Sequence, residues 1–280
     1  MAITNFIPTV WSESLLRALD SKYIAVANCN REYEGDIREK GSKVKICGLD
    51  TVTIGNYIKN QNLDAPETLS DTYKELVINQ AKYFNFQIDD VDLAQATPRL
   101  MELAVKNAAS ALANVAEQYV YSLNTNAANS VDNLEPTVDN IIDTLIDART
   151  LLLKQNVVDA SDIVIEVSPE IAGLILKAKV ALSTDNTDSM ESGCIGNIGG
   201  CKIFVSSNIP VTDEDVGPVA QCVARTRRAV AFAEQLSEIE AYRPELRFAD
   251  AMKGLHLYGA KVVYPKEMVL LNIAVPSVGN

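Results

Sequence analysis

The sequence predicts an α+β fold, with strands and helices grouped in separate parts of the chain. Three stretches predict it. Residues 43 to 88 alternate apolar and polar side chains as a long two-armed ribbon would. An alanine-rich stripe at helical spacing follows for about 25 residues. From 136 to 210 helices alternate with strands, and the rest of the chain reads as strand.

The chain opens on an irregular apolar lead, "ITNFIPTV", which carries Phe6, Ile7 and Val10. Trp11 begins "WSESLLRALD", residues 11 to 20, which suit a short amphipathic helix. An apolar arm this short has no core of its own and must dock on something. In the ribbon, Val44, Ile46, Val52, Ile54 and Ile58 line one arm; Leu76, Ile78, Phe84, Phe86 and Ile88 line the other. "QNLDAPETLSD" makes the turn between them. The arms could reach about 40 Å at ~3.3 Å per residue. A lone two-stranded ribbon is marginal in water. Its apolar side chains are therefore expected to lie on another copy of the chain rather than on their own domain.

Thr97 is the expected cap of the following helix, with Pro98 at its first position. Leu100, Leu103, Ala104, Ala108, Ala111, Leu112, Val115, Tyr119 and Val120 form its apolar stripe. The polar link "NTNAANSVDNLE" resembles a domain crossing, and Pro136 opens a second helix with Ile141, Ile142, Leu145, Ile146 and Leu152 inward. "DIVIEVS" reads as a buried strand, the stretch after it as a helix capped by Ser168 with Pro169 next, and "CKIFVSS" as another strand. "VARTRRAVAFAEQ", "GLHLYGAKVVYP" and "EMVLLNIAV" complete the strands.

Composition narrows the function. The 280 residues allow one large domain or two smaller ones, and 48% hydrophobic with 22% charged is ordinary for a globular chain. A net charge of −12 disfavours a basic face for nucleic acid and favours solubility through mutual repulsion. Five scattered cysteines do not form a disulfide framework. No secretory signal and no run near ~20 apolar residues is present, so a soluble protein of a reducing cytoplasm is expected.

No motif rises to a catalytic constellation. Gly193, Gly196 and Gly199 in "SGCIGNIGGCKIFVSSNIP" match neither the dinucleotide fingerprint nor the P-loop, and they precede a strand instead of opening a helix. A loop tightening into a strand is the simpler reading. Cys194 and Cys201 lack the second ligand pair a structural zinc needs. His256 is the only histidine; it alternates with Leu255 and Leu257, so it faces solvent or a polar seam of a sheet. Asp89, Asp90 and Asp92 begin a calcium-loop pattern that fails at Ala94. Arg225 and Arg227 are expected on one face of a strand, opposite Arg228, as ion-pair partners in an interface. No catalytic residue, cofactor or metal site is expected.

"NFIPTVWSESLLRALD", "YEGDIREKGSKVKI", "QAKYFNFQIDDVD", "GCKIFVSSNIP" and "LYGAKVVYP", in this order, resemble the major capsid proteins of tailed bacteriophages, which have the Hong Kong 97-type shell fold. The resemblance covers nearly the whole chain. It implies an amino-terminal arm at 1–30 and peripheral-domain strands with an extended loop at 31–96, its tip about 60–71. It implies a spine helix of the peripheral domain at 97–135, an axial α/β domain at 136–220, and strands returning to the peripheral domain at 221–280. The implied function is self-assembly, as pentamers and hexamers, into an icosahedral shell around double-stranded DNA in the bacterial host cytoplasm. The implied partners are a portal protein, a separate scaffolding protein and weakly contacted DNA, with no membrane. Candidate contacts between subunits are Phe6, Trp11, Lys59, Asp64, Glu67, Arg225 and Arg227. The alternatives are an encapsulin-like compartment and, less favoured, a soluble α/β nucleotide-binding enzyme.

Overall fold

In the computed structural model the described residues are 15, 18–20, 22–33, 43–49, 59, 71–89, 100–155, 157, 160–178, 194–214, 217–246 and 248–276. Strands β1 (Lys43–Leu49), β2 (Asp71–Val77) and β3 (Gln80–Asp89) come first, then helix α1 (Leu100–Tyr121). β4 (Asn129–Asn133), α2 (Ile141–Lys154), β5 (Ile163–Val167), α3 (Pro169–Lys177), β6 (Cys194–Ile198) and β7 (Cys201–Val205) follow. The chain continues through β8 (Val211–Glu214), β9 (Gly217–Thr226), β10 (Val230–Tyr242), β11 (Ala249–Val262) and β12 (Met268–Ala274).

These strands make three sheets. β1 and β2 form an antiparallel ribbon; β10, β11 and β3 form a second sheet in that order. The largest has the order β4-β12-β9-β5-β7-β6, with β8 added against β9. β5 is buried at all five positions, as a central strand covered on both faces must be. α1, α2 and α3 each pack an apolar face into one continuous core with the strands of the large sheet, and Phe232, Met252 and Tyr258 of the smaller sheet join it.

Several expectations hold in detail. α3 starts at Pro169, with the Ser168 hydroxyl accepting from the Ile171 amide at 3.5 Å. β7 and β12 lie within the runs read as strand. Gly199 and Gly200, with φ of 60° and 90°, form the two-residue turn between the paired Ile198 and Cys201. The glycine-rich run is therefore a β-hairpin whose first strand begins at Cys194, one strand more than the sequence suggested.

Other expectations are corrected. The ribbon ends at Val77: β3 leaves it to pair with β11 from Ala249↔Asp89 to Tyr258↔Gln80. Its base also has an apolar home within the chain, because Val44, Ile46, Leu76 and Ile78 pack against Ala231, Ala233, Leu257 and Val263. Gly259 permits the close approach; a Cβ there would run into the Val77 carbonyl oxygen. Residues 50–58 and 60–70 lie outside the described residues, so the far part of the ribbon carries no structural statement.

In α1 the buried positions are Val105, Ala109, Leu112, Ala113, Ala116, Glu117, Val120 and Tyr121, whereas the expected Leu103 and Val115 are exposed. Glu117, which is not part of the expected stripe, faces the core. α2 begins at Ile141 and not at Pro136; residues 137–140 form a turn in which the Asn140 Oδ1 accepts from the Thr137 amide at 2.8 Å. Ile146 is exposed, and Thr144 and Ala148 are buried in its stead. The strand expected across "VARTRRAVAFAEQ" is broken by a 3-10 turn at Arg227–Ala229, which hands the chain from the large sheet to the smaller one. The domain boundary expected at 220 falls inside β9, and β12 lies between β4 and β9 in the large sheet.

Gly259→Val should lower protomer stability by about 1–3 kcal/mol through overpacking against β2. Gly173→Ala, at a mid-helix position of α3 with open space around it, should raise it by about 0.5–1 kcal/mol. Urea unfolding of the two variants checks both signs.

Candidate functional site

No group of three or more His, Cys, Asp or Glu among the described residues could hold a metal ion. Cys29, Cys194, Cys201 and Cys222 are free and buried, and burial pushes the thiols of Cys29, Cys201 and Cys222 up, Cys222 to about 12. They are poor nucleophiles and poor ligands. Among the described residues no helix is long and apolar enough to cross a membrane.

The concentrated chemistry lies under the segment 22–33. This stretch has only a 3-10 turn at Val26–Asn28 and one parallel bridge, Asn30 to Ala231. The Asn30 amide donates to the Val230 carbonyl and the Phe232 amide to the Asn30 carbonyl, both at 2.9 Å. Several of its other polar groups meet three carboxylates, one each from α1, β5 and β10.

Glu117 of α1 is 1% exposed and accepts with Oε1 from the backbone amides of Ile24 and Ala25, the latter at 2.7 Å. Its Oε2 accepts from Ser206 at 3.3 Å and Asn208 at 3.2 Å. Burial raises its carboxyl above the ordinary range, against the lowering by the Ile24 amide, Asn208 and the Ala25 amide.

Glu166 of β5 is fully buried and accepts from Asn28 Nδ2 at 2.9 Å and from Arg225 Nη2 at 3.1 and 3.2 Å. Arg225 also donates to the Ala25 carbonyl at 2.8 Å and contacts Cys29 Sγ at 3.1 Å. Burial opposes its charge, but the Glu166 carboxylate outweighs burial and raises it, so the guanidinium stays charged.

Glu234 of β10 accepts from Tyr23 at 2.6 Å and Arg31 at 2.8 Å, and its Oε2 lies 2.8 Å from His256 Nε2. Arg31 also reaches Asp20 at 3.0 Å. Burial pushes Glu234 upward, yet His256, Tyr23 and Arg31 more than offset it and hold the carboxyl below its ordinary range. Burial, then the Glu234 charge, drives the Tyr23 hydroxyl well above the phenol range, so it remains a donor.

Of the residues expected at subunit contacts, Phe6, Trp11, Asp64 and Glu67 lie outside the described residues. Lys59 is exposed in a turn, and Arg227 is exposed in the 3-10 turn. Arg225 is 1% exposed and fully engaged inside its own chain, so the expectation that it faces a neighbour is corrected. The two arginines do not share a strand face, because the strand ends between them. His256 does sit in a polar seam, buried on β11 with its Nε2 against Glu234 of β10. Sequence reasoning missed Tyr23, Glu117, Glu166 and Glu234. Only Glu166 left a signal, as the one charge within the apolar run "IVIEV".

No protein-family profile and no curated protein matches the chain. Solved structures do. One from Mycobacterium phage Che8 is 28% identical over 89% of this chain and 90% of its own, with a TM-score of 0.70. The capsid of Ralstonia phage GP4 is 10% identical over 94% and 92%, with a TM-score of 0.72. A virus-like particle from Pyrococcus furiosus is 12% identical over 95% and 99%, with a TM-score of 0.58.

Arg225→Met should cost about 3–5 kcal/mol by leaving Glu166 buried and unpaired, with much of the loss recovered when Glu166→Leu is added. Glu117→Gln should gain stability relative to the parent as pH rises. The raised carboxyl favours the parent fold fully below its reference value of 4.5, and that contribution fades as pH climbs through the raised value. Urea unfolding of both proteins at several pH values between 4 and 8 measures the sign.

Proposed function

We propose that this chain, which has the fold of tailed-phage capsid proteins, is a major capsid protein: a shell subunit that acts by self-association and not by catalysis. The observation that carries this is a common fold over about nine-tenths of both chains with a phage structure at 28% identity. Phage capsids from two further sources, a cyanophage and phage PhiM1, have TM-scores of 0.65 and 0.59 against it. The acidic balance suits the inner wall of a container, since a wall that gripped DNA through many phosphates would hinder its packing and release.

Within that reading, residues 1–30 are the arm, β1 and β2 are the base of the extended loop, and α1 is the spine of a peripheral domain that includes the β10-β11-β3 sheet. The axial domain takes α2, α3 and β5–β7, and β9 and β12 tie it to the periphery. The copies close as pentamers and hexamers in a virion capsid, with a portal, a separate scaffold and weakly held DNA as partners, assembled in the host cytoplasm. Phe6, Trp11, Lys59, Asp64, Glu67 and Arg227 remain the proposed contact residues. Many modest contacts repeated over a closed surface give a stable particle without any one being strong.

A compartment that encloses protein instead of DNA is the second reading, favoured by the match to the virus-like particle over 99% of that chain. Electron microscopy of the chain expressed alone should show closed shells or regular tubes. A variant lacking residues 50–70 should stay folded but remain as small oligomers. A parent protein that stays monomeric at every concentration would sink the proposal, and mass spectrometry of purified particles separates DNA from protein cargo.

A further inference from the structure

The sheet β10-β11-β3 carries two exposed apolar features at one end. The first is a groove of about 970 Å³ between β3 and α1, lined by the consecutive residues 83–89 and by Leu103, Ala104, Asn107 and Ala108. Its floor is aromatic: the Phe84 and Phe86 rings stack at 5.9 Å, and Gly254 leaves the room for Phe84 that a Cβ would take. The second is the turn that joins β10 to β11, where Leu246 is 98% and Phe248 84% exposed. Tyr83, on the groove, is 79% exposed, and the next large apolar side chain among the described residues is Leu176 at 58%. Tip and groove therefore hold the most exposed apolar surface described.

We propose that these two surfaces meet between copies: the Leu246 and Phe248 tip of one copy seats in the β3–α1 groove of another. The contact rests on the capsid reading for its place in a shell and is separate from any made by the arm or the ribbon. The tip does not fill its own groove. Ala249 pairs with Asp89, so the turn leaves the sheet beyond the end of β3, with both apolar side chains in solvent. The groove suits an apolar occupant, since Asp89 at its end is the one charged side chain among the described residues that line it. Its size lies at the upper end of the roughly 300–1,000 Å³ that encloses a drug-sized molecule. A turn carrying a leucine and a phenylalanine fits, with room for its backbone. β3 is also the outer strand of its sheet among the described residues, and an edge strand that exposes aromatic side chains is a surface prone to pair with another chain.

The tip stands on a braced mount. Arg243 pairs with Asp250 at 3.4 Å and Lys253 with Glu240 at 2.7 Å, and the Tyr242 hydroxyl donates to Asn85 of β3 at 3.1 Å. Pro244 restricts the backbone where the turn begins. A preset tip gives up less freedom on seating than a loose loop would. Tip and groove are different patches, so each copy offers one and receives another, and successive copies can join in a ring. Two side chains make a modest contact, which suits a surface held by many repeats of it.

Replacing Phe248 with p-benzoylphenylalanine, a photo-reactive phenylalanine, tests this. The protein is mixed in equal amounts with a copy grown on heavy nitrogen, then irradiated as assembled particles and as concentrated protomer. Mass spectrometry should find the main cross-links on peptides spanning 83–89 or 100–108. Mixed-isotope pairs should be as abundant as same-isotope pairs, as a contact between randomly mixed copies requires. Leu246→Asp or Leu103→Asp, each added at an exposed position, should lower that cross-link roughly tenfold or more while the urea midpoint stays unchanged. Cross-links confined to one copy, or landing on another tip, the arm, the ribbon or the large sheet, would overturn the contact. Equal yields with and without the aspartates would do the same. Shells that form without this cross-link sink the contact and leave the capsid reading standing; the cross-link without shells supports the contact and tells against that reading.

Discussion

A backbone segment without a sheet or helix of its own must find hydrogen-bond partners elsewhere, and in this protein that constraint shapes the core. Buried amides and carbonyls left unpaired cost about 1–3 kcal/mol each. The 22–33 segment packs against α1 and both larger sheets with Tyr23, Ala25, Val26, Asn28 and Cys29 buried, and three carboxylates of the body meet its polar groups. Each carboxylate is costly to bury alone. Glu117 is offset by two backbone amides and Asn208, Glu166 by Arg225 and Asn28, and Glu234 by Tyr23, Arg31 and His256. Segment and carboxylates therefore stabilise each other, and neither arrangement is favourable without its counterpart.

The same logic explains where the two sheets meet. The chain crosses between them at Arg227–Ala229, a turn with no ladder to hold it. Glu267 fastens that corner, accepting from Thr226 at 2.7 Å and from Arg228 at 2.7 and 2.6 Å. β10 and β11 then run paired from Val230↔Val262 to Tyr242↔Ala251, with a bulge between Leu236 and Glu238 that adds twist. The base of the ribbon rests on the near end of this pair, on Ala231, Ala233 and Val263. Small residues there let a second layer approach closely. The ribbon thus leaves the body from a firm seat.

Periodicity made much of this architecture legible. Ser168 and Pro169 announced α3 and the apolar run "IVIEV" announced the most buried strand, while the glycine-rich run was read only as a loop leading into β7. What stayed hidden shares a single cause. Hydrophobic pattern gives no sign of a buried charge, so Glu117 and Glu234 went unread and Arg225 was expected at an interface, although each is buried against a partner distant in sequence. Turning Glu117 inward also rotates the buried face of α1, which is why Leu103 and Val115 face out. Long-range pairing was equally invisible. The alternation of β3 is the same whether its neighbour is β2 or β11, and only the three-dimensional register decides between them. The proposed function was read from the order of structural motifs, because a shell subunit would act through its shape.

That last point has a physical consequence for how the protein works. A subunit that depended on its neighbours for its core would exist only in the particle, and assembly could not be reversed or corrected. Among the described residues the core closes within one chain, down to the base of the ribbon, and the large exposed apolar side chains lie outside it. Leu246 and Phe248, 98% and 84% exposed, lie at the turn joining β10 to β11; Tyr83 and Leu103 lie on β3 and α1. Tyr83 and Leu103 line one groove between β3 and α1, apart from Leu246 and Phe248, and separate patches suit several contacts rather than a single one. Weak contacts let a misplaced copy dissociate before the surface closes around it, and their number makes the closed surface persist. A core closed within the described part of one chain, with modest apolar outliers, is the arrangement that permits both.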